Sequence, residues 1–167
     1  DVRAFFQTYY RPRNASLALA GDVTTAEALR LAHEYFGEIE AGDVPPPVEY
    51  TAPGPLASER RLLLEDRVEL PRLYMAWHAP ALFAQDDAEL DLVADVLAGG
   101  KTSRLYRTLV YAERIATEIA ASQNSREIGG FFQIVATAAP GRTLAELERA
   151  ITRELVQLTE QGPTGAE

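Results

Sequence analysis

Between Ala41 and Ser58 the chain carries three consecutive prolines, Pro45 to Pro47, and then Pro53-Gly54-Pro55. Each proline fixes φ at about −65° and removes a backbone N–H, so this stretch can neither continue a helix nor run inside a sheet. It reads as extended, polyproline-like chain joining two packed pieces. The 167 residues are therefore expected to divide into residues 1–40, a proline-rich linker over 41–58, and a larger piece over 59–167. At 47% hydrophobic and 25% charged residues, the composition is globular and supplies enough apolar material for a core.

Before the linker, residues 2–10 have the spacing of a short amphipathic helix that stops ahead of Pro12. Leu17 and Leu19, among small neighbours and ending at Gly21-Asp22, read as a buried strand over Ala15 to Ala20. Thr24, with Glu27 three residues on, predicts a capping box opening a second helix. Leu29, Ala32, Tyr35 and Phe36 give that helix an apolar face, and Gly37 is its stop.

After the linker the periodicity changes. Arg60 to Leu70 is expected as one strand, and Leu73, Met75 and Trp77, alternating with Arg72, Tyr74 and Ala76, as a second. Asp86 is expected to cap a helix reaching Leu97, with Leu90, Val93, Ala94 and Leu97 on one face. Gly99-Gly100 ends it, and Thr102 or Ser103 opens another helix to about Tyr111. Ile115 to Ser122 and Gly130 to Ala138 read as two paired strands. Thr143 with Glu146 predicts a second capping box, opening a helix of Leu144, Leu147, Ile151, Leu155 and Leu158 that Gly162-Pro163 stops. The order β-β-α-α-β-β-α predicts an α+β unit, a largely antiparallel sheet with helices packed on one face, preceded by part of a neighbouring unit.

Charge and motifs exclude several functions. Acidic residues outnumber basic ones 25 to 16, for a net charge of −9, and that field repels phosphate backbones, which argues against nucleic-acid binding. With no cysteine, thiolate metal sites, disulfides and a cysteine nucleophile are out, and the compartment cannot be read. No apolar run approaches the roughly 18 residues of a membrane span. His33-Glu34 opens a His-Glu-x-x-His pattern, but Phe36 and Gly37 stand where it should continue, so His33 and His78 read as a solvated helix residue and a strand-end residue. Gly99-Gly100-Lys101-Thr102-Ser103 resembles part of a phosphate loop. Asp95 occupies the position of its first glycine, and a helix, not a strand, precedes it. The acidic run Asp86-Asp87-Ala88-Glu89 lacks the glycine turn and bidentate glutamate of an EF-hand and reads as helix capping.

Taken together, the segments resemble the pitrilysin, insulinase and mitochondrial processing peptidase family of zinc metallopeptidases. Phe6, Tyr9-Tyr10, Pro12 and Asn14, followed by Gly21-Asp22-Val23, resemble its Y-x-P-x-N … G-D-V segment. Tyr35-Phe36-Gly37 resembles its Y-F-G helix ending, and Gly100 through Ser103-Arg104-Leu105-Tyr106 its G-x-x-S-R-L-Y turn and helix. Gly130-Phe131-Phe132 and Ala138-Ala139-Pro140-Gly141 resemble the strand and turn that follow. The pieces occur in the family's order along nearly the whole chain.

That resemblance implies paired α+β units whose two halves close around a peptide-holding chamber. It implies a zinc site built from an inverted His-x-x-Glu-His motif and a distant Glu, with metal-bound water attacking the peptide carbonyl. Those residues belong to a unit upstream, so this chain is expected to carry no catalytic residue and no metal, with zinc held elsewhere in a longer protein. Residues 1–40 would be the tail of the preceding unit and 59–167 a second unit truncated at its C-terminus, both ends reading as cuts in a longer polypeptide. The implied partners are the other half of the peptidase, in the same chain or a partner subunit, and the peptide substrate. Many family members place an Arg in an L-R-x sequence and a Tyr seven positions later against substrate backbone. Those positions are Val110 and Thr117 here, and neither can form the charge-assisted bond that Arg makes. The alternative function is a domain of a non-proteolytic scaffold or partner subunit, and an intact or degenerate His-x-x-Glu-His upstream separates the two. A nucleotide-binding module is disfavoured by Asp95.

Overall fold

The computed structural model describes residues 1–47, 49–51 and 54–165; Val48, Ala52 and Pro53 of the proline-rich stretch, with Ala166 and Glu167, lie outside the described residues. Two compact units form, Asp1–Tyr50 and Thr51–Glu167.

The first unit holds helix α1 (Val2–Tyr9), a 3-10 turn (Pro12–Asn14) and helix α2 (Thr25–Phe36). Aromatic side chains stack along α1, with ring centroids 4.9 Å apart for Phe5–Tyr9 and 4.4 Å for Phe6–Tyr10. No residue of α1 or α2 is buried. Half of the expected Thr24 capping box forms: Thr24 Oγ1 accepts from Glu27 N at 3.3 Å. The expected strand over Ala15 to Ala20 does not form. Its backbone is extended at Ala15 (φ −123°, ψ 146°), but no described segment pairs with it, and Leu17 and Leu19 are 59% and 56% exposed. A strand exists only through its ladder, and among the described residues there is no second strand to complete one.

The second unit is organised by a three-stranded antiparallel sheet of β1 (Arg72–Ala79), β2 (Ala116–Ser125) and β3 (Gly130–Ala138), in the order β1-β3-β2. Side chains alternate across a strand, so Phe132, Ile134, Ala136 and Ala138 of β3 share one face, and all four are buried. In register beside them stand Leu73, Met75 and Trp77 of β1, and Ile119 and Ala121 of β2. Onto this face pack Ala94 and Leu97 of helix α3 (Asp87–Ala98), Leu105 and Leu109 of the following helical turn, and Leu147, Ala150 and Ile151 of helix α4 (Leu144–Gln161). The α+β architecture with helices on one face is as expected.

Helix α4 starts on a complete capping box. Thr143 Oγ1 accepts from Glu146 N at 3.3 Å, and Glu146 Oε2 accepts from Thr143 N at 2.8 Å. It ends at Gly162, whose φ of 72° is a left-handed conformation that glycine adopts without penalty.

Two further expectations are corrected. Arg60 to Leu70 is not a strand: among the described residues nothing pairs with it, and Leu62, Leu63 and Leu64 are 83%, 74% and 79% exposed. Three consecutive leucines present no single apolar face, and the segment is held instead by Arg61, whose guanidinium donates to both carboxylate oxygens of Glu148. Asp86 does not cap α3 with its side chain, because its own backbone is left-handed (φ 69°) and the carboxylate makes no cap bond. The helix expected after Gly100 forms, and over Tyr106–Ala112 it is a π-helix, closed by Glu113 N donating to Thr108 O at 2.8 Å.

The capping box predicts that Thr143→Ala lowers the stability of the second unit by about 1 kcal/mol. Glu146→Gln should cost less, because an amide oxygen still accepts from Thr143 N. Urea unfolding of the two variants checks the ranking.

Candidate functional site

The two positions singled out from the sequence, Val110 and Thr117, lie on either arm of one corner. The turn before it is fixed by Gly100, whose φ of 136° favours glycine, and whose carbonyl accepts from Ser103 Oγ at 2.6 Å. This is the helix-to-helix turn expected there, not a phosphate cradle. Arg104 is buried, and its Nη2 donates to Gly162 O at 3.1 Å. It thereby ties the start of this helix to the C-terminus of α4, where a cation also opposes the helix dipole.

Val110 sits in the π-helix, half-buried against the core alongside the fully buried Leu109. The chain then reverses. Arg114 takes a left-handed φ of 52°, Ile115 N donates to Leu109 O at 2.9 Å, and Ile115 O accepts from Ala139 N at 2.9 Å. Strand β2 opens with a bulge: Ala116 faces Ala138 and Glu118 faces Thr137, so Thr117 is the extra residue. Thr117 is exposed and its Oγ1 donates to Thr137 O at 3.4 Å. Thr137 Oγ1 accepts from Arg72 Nε at 3.0 Å, and Arg72 Nη2 lies 3.6 Å from Glu118 Oε2.

Beyond this corner stretches the sheet face opposite the helices. By alternation it carries Tyr74 and His78 of β1, Phe131 and Val135 of β3, and Ala120 and Ser122 of β2. Tyr74 is 63% and Phe131 43% exposed. Both β1 and β2 are edge strands among the described residues, and edge N–H and C=O groups can accept an extended peptide as a further strand. Val110 offers no polar group, and the Thr117 hydroxyl is directed at the Thr137 carbonyl, with no base as its partner among the described residues.

The two histidines do not change this. His33 is exposed on α2 and His78 exposed on β1, in different units. Among the described residues no three of His, Asp and Glu gather where they could hold a metal ion. The residues present do not fit a zinc site.

A polar cluster that no sequence motif announced is centred on Asp87. Its carboxylate is buried at 6% exposure, accepting from Phe83 N at 2.9 Å and from Gln123 Nε2 at 3.1 Å. The Gln123 bond first, then the Phe83 N–H, and then a bond from Ser125 hold Asp87 below the usual carboxylate range, against the opposing effect of desolvation. These bonds join α3 to β2 and to the 80–86 loop, where Phe83 (φ 62°) and Asp86 (φ 69°) are both left-handed. Adjacent acids hid the assignment: a run of two aspartates does not say which one turns inward.

Because the folded pKa of Asp87 is depressed, its contribution to stability is present above the unfolded value of about 3.9 and is lost as pH falls through the folded one. Asp87→Asn should lower the melting temperature at pH 7, and the gap to the unsubstituted protein should close as the pH falls below about 4. Thermal unfolding of both proteins from neutral to acid pH checks this; parallel curves would assign the loss to packing alone.

The family model described as the peptidase M16 inactive domain matches residues 1–167. The zinc protease PqqE of Helicobacter pylori (strain ATCC 700392 / 26695) is 25% identical over 174 residues, covering all of this chain and 38% of that protein. The crystal structure of a protease from Helicobacter pylori superposes with a TM-score of 0.80 at 24% identity, over 99% of this chain and 40% of the other. A peptidase M16 inactive domain from Pseudomonas fluorescens gives a TM-score of 0.75 at 18% identity, over 98% of this chain and 39% of that one. At these identities the two structures speak to the fold alone. The chain thus spans about two fifths of the length of its relatives, with the helix-on-sheet unit and the Ser103-Arg104-Leu105-Tyr106 turn where the resemblance set them, and it belongs to the peptidase M16 inactive-domain family.

Proposed function

We propose that the chain is a non-catalytic, chamber-forming domain of a zinc-dependent metalloendopeptidase, enclosing the peptide while another half of the enzyme cuts it. The observation that carries this reading is the sheet face opposite the helices, which among the described residues is open at both edges and bears Tyr74 and Phe131 but no group of metal ligands. Such a face suits contact with extended chain, through edge backbone groups and apolar side chains. Zinc, in this reading, is held by residues outside 1–167. The partner is the other half of the peptidase, in the same polypeptide or a separate subunit.

Val110 and Thr117 then occupy the family's peptide-contact positions with the contacting chemistry removed. Val110 is given to the core, and the Thr117 hydroxyl to the Thr137 carbonyl. The backbone-binding Arg and Tyr come from the other half.

Purified chain 1–167 should hold no stoichiometric zinc and leave a fluorogenic peptide intact, and should raise cleavage when mixed with the zinc-bearing half. One tightly bound zinc per chain, or chelator-sensitive turnover by the chain alone, would overturn the reading. The positional assignment has its own test. In a longer protein whose native Arg and Tyr have been removed, Val110→Arg with Thr117→Tyr should restore peptide binding by the about 1.5–3 kcal/mol of a charged hydrogen bond. No gain in affinity, measured by titration with peptide, would sink the assignment while leaving the domain's role intact.

A further inference from the structure

On the far side of the second unit from the open sheet face, α3 and α4 leave a groove between them. Its volume is about 400 Å³, and it is lined by Leu92, Val93 and Val96 from α3 and by Leu155, Leu158 and Pro163 from α4 and its end. Leu92 is 68% exposed, and Val156 on the same stretch of α4 is 49% exposed. An apolar channel between two helices is the shape that a third helix fills with a ridge of side chains.

The charges beside it are of one sign. Helix α3 contains no Lys or Arg, and Glu89, Asp91 and Asp95 are all exposed on it. Glu89 and Asp95 stand one turn before and after Leu92, which makes them its neighbours on the helix surface. None of the three carboxylates forms an ion pair among the described residues. Helix α4 does not neutralise them. Arg153 is committed to Glu113 at 2.6 Å and Glu154 at 3.3 Å, and neither Arg149 nor Arg153 lines the groove. Three unpaired carboxylates along an exposed apolar wall repel one another and await cations.

We propose that this groove seats an amphipathic helix, supplied from outside residues 1–167, whose apolar stripe is flanked by Lys and Arg. The stripe covers Leu92, Val96 and Leu155, and the flanking cations meet Glu89, Asp91 and Asp95. An acidic or neutral helix of the same shape would bury the same apolar surface but gain nothing from the carboxylates, so the rim selects by charge.

The test uses the 1–167 chain and synthetic helical peptides of about 18 residues, with one leucine stripe and either Lys or Glu on its flanks. The Lys-flanked peptide should bind, gain helicity, and shift amide resonances of residues 92–96 and 155–163. The Glu-flanked peptide should bind about tenfold or more weakly at low ionic strength, and added salt should narrow the difference. Leu92→Lys should abolish binding of the Lys-flanked peptide; its side chain is mostly exposed, so the fold should persist, as circular dichroism would verify. Should that variant misfold, Glu89→Gln with Asp91→Asn and Asp95→Asn decides, since it should erase the preference for Lys while leaving the apolar contact. Equal affinity for the two peptides, binding of neither, resonance shifts away from the groove, or a self-associated chain whose second copy fills the groove would each overturn the proposal.

Discussion

The second unit depends on burying one face of β3. Phe132, Ile134, Ala136 and Ala138 are the middle row of the core, and every helix of the unit finds its partners there or on the flanking strands. A slip of one residue would send that row to solvent and bring Phe131, Gln133 and Val135 inward, leaving Leu97, Leu109, Leu147 and Ile151 without their floor. The one-sided core has a second consequence. With all helices on one face, the other is left for something outside the unit, and the sheet, not a helix, becomes its outward surface.

The corner that leads into β2 shows how this core is closed. Ala116 and Ile119 are both buried, yet three positions apart they would point to opposite faces of a regular strand. The bulge at Thr117 absorbs the odd residue and lets both reach the core. The π-helix before it likewise carries an extra residue per turn, and Arg114 completes the reversal in a left-handed conformation. These irregular features in consecutive segments are a single adjustment: they bring Leu109 and Ile115 together through one backbone hydrogen bond.

What could be read from the sequence was what neighbouring residues decide. The Thr143–Glu146 box, the spacing of Leu147 and Ile151, and the alternation through Gly130 to Ala138 all depend on residues within a few positions, and all formed as read. What failed depended on partners. Ala15 to Ala20 and Arg60 to Leu70 have the composition of strands, but a strand is a property of two segments, and neither has a second one among the described residues. The π-helix could not be told from an α-helix, because Leu105 and Leu109 are four apart in either reading. Asp86 and Asp87 were interchangeable on paper, and the left-handed backbone at Asp86 chose between them. Val110 and Thr117 carried no signal of their own and were found only through a family pattern.

The segment Ser103 to Thr117 interleaves two sets of residues. Ser103 closes the turn on Gly100, Arg104 fastens the helix to the end of α4, and Leu105 and Leu109 fill the core. Losing any of these leaves a cavity or an unpaired buried group. Val110 and Thr117 stand between and after them, at the corner, where substitution costs the fold little: valine adds apolar contact, and threonine suits a strand. Folding therefore constrains the first set whatever the second set contacts. Arg104 belongs to the first set: it is buried, and its guanidinium donates to the Gly162 carbonyl inside the unit.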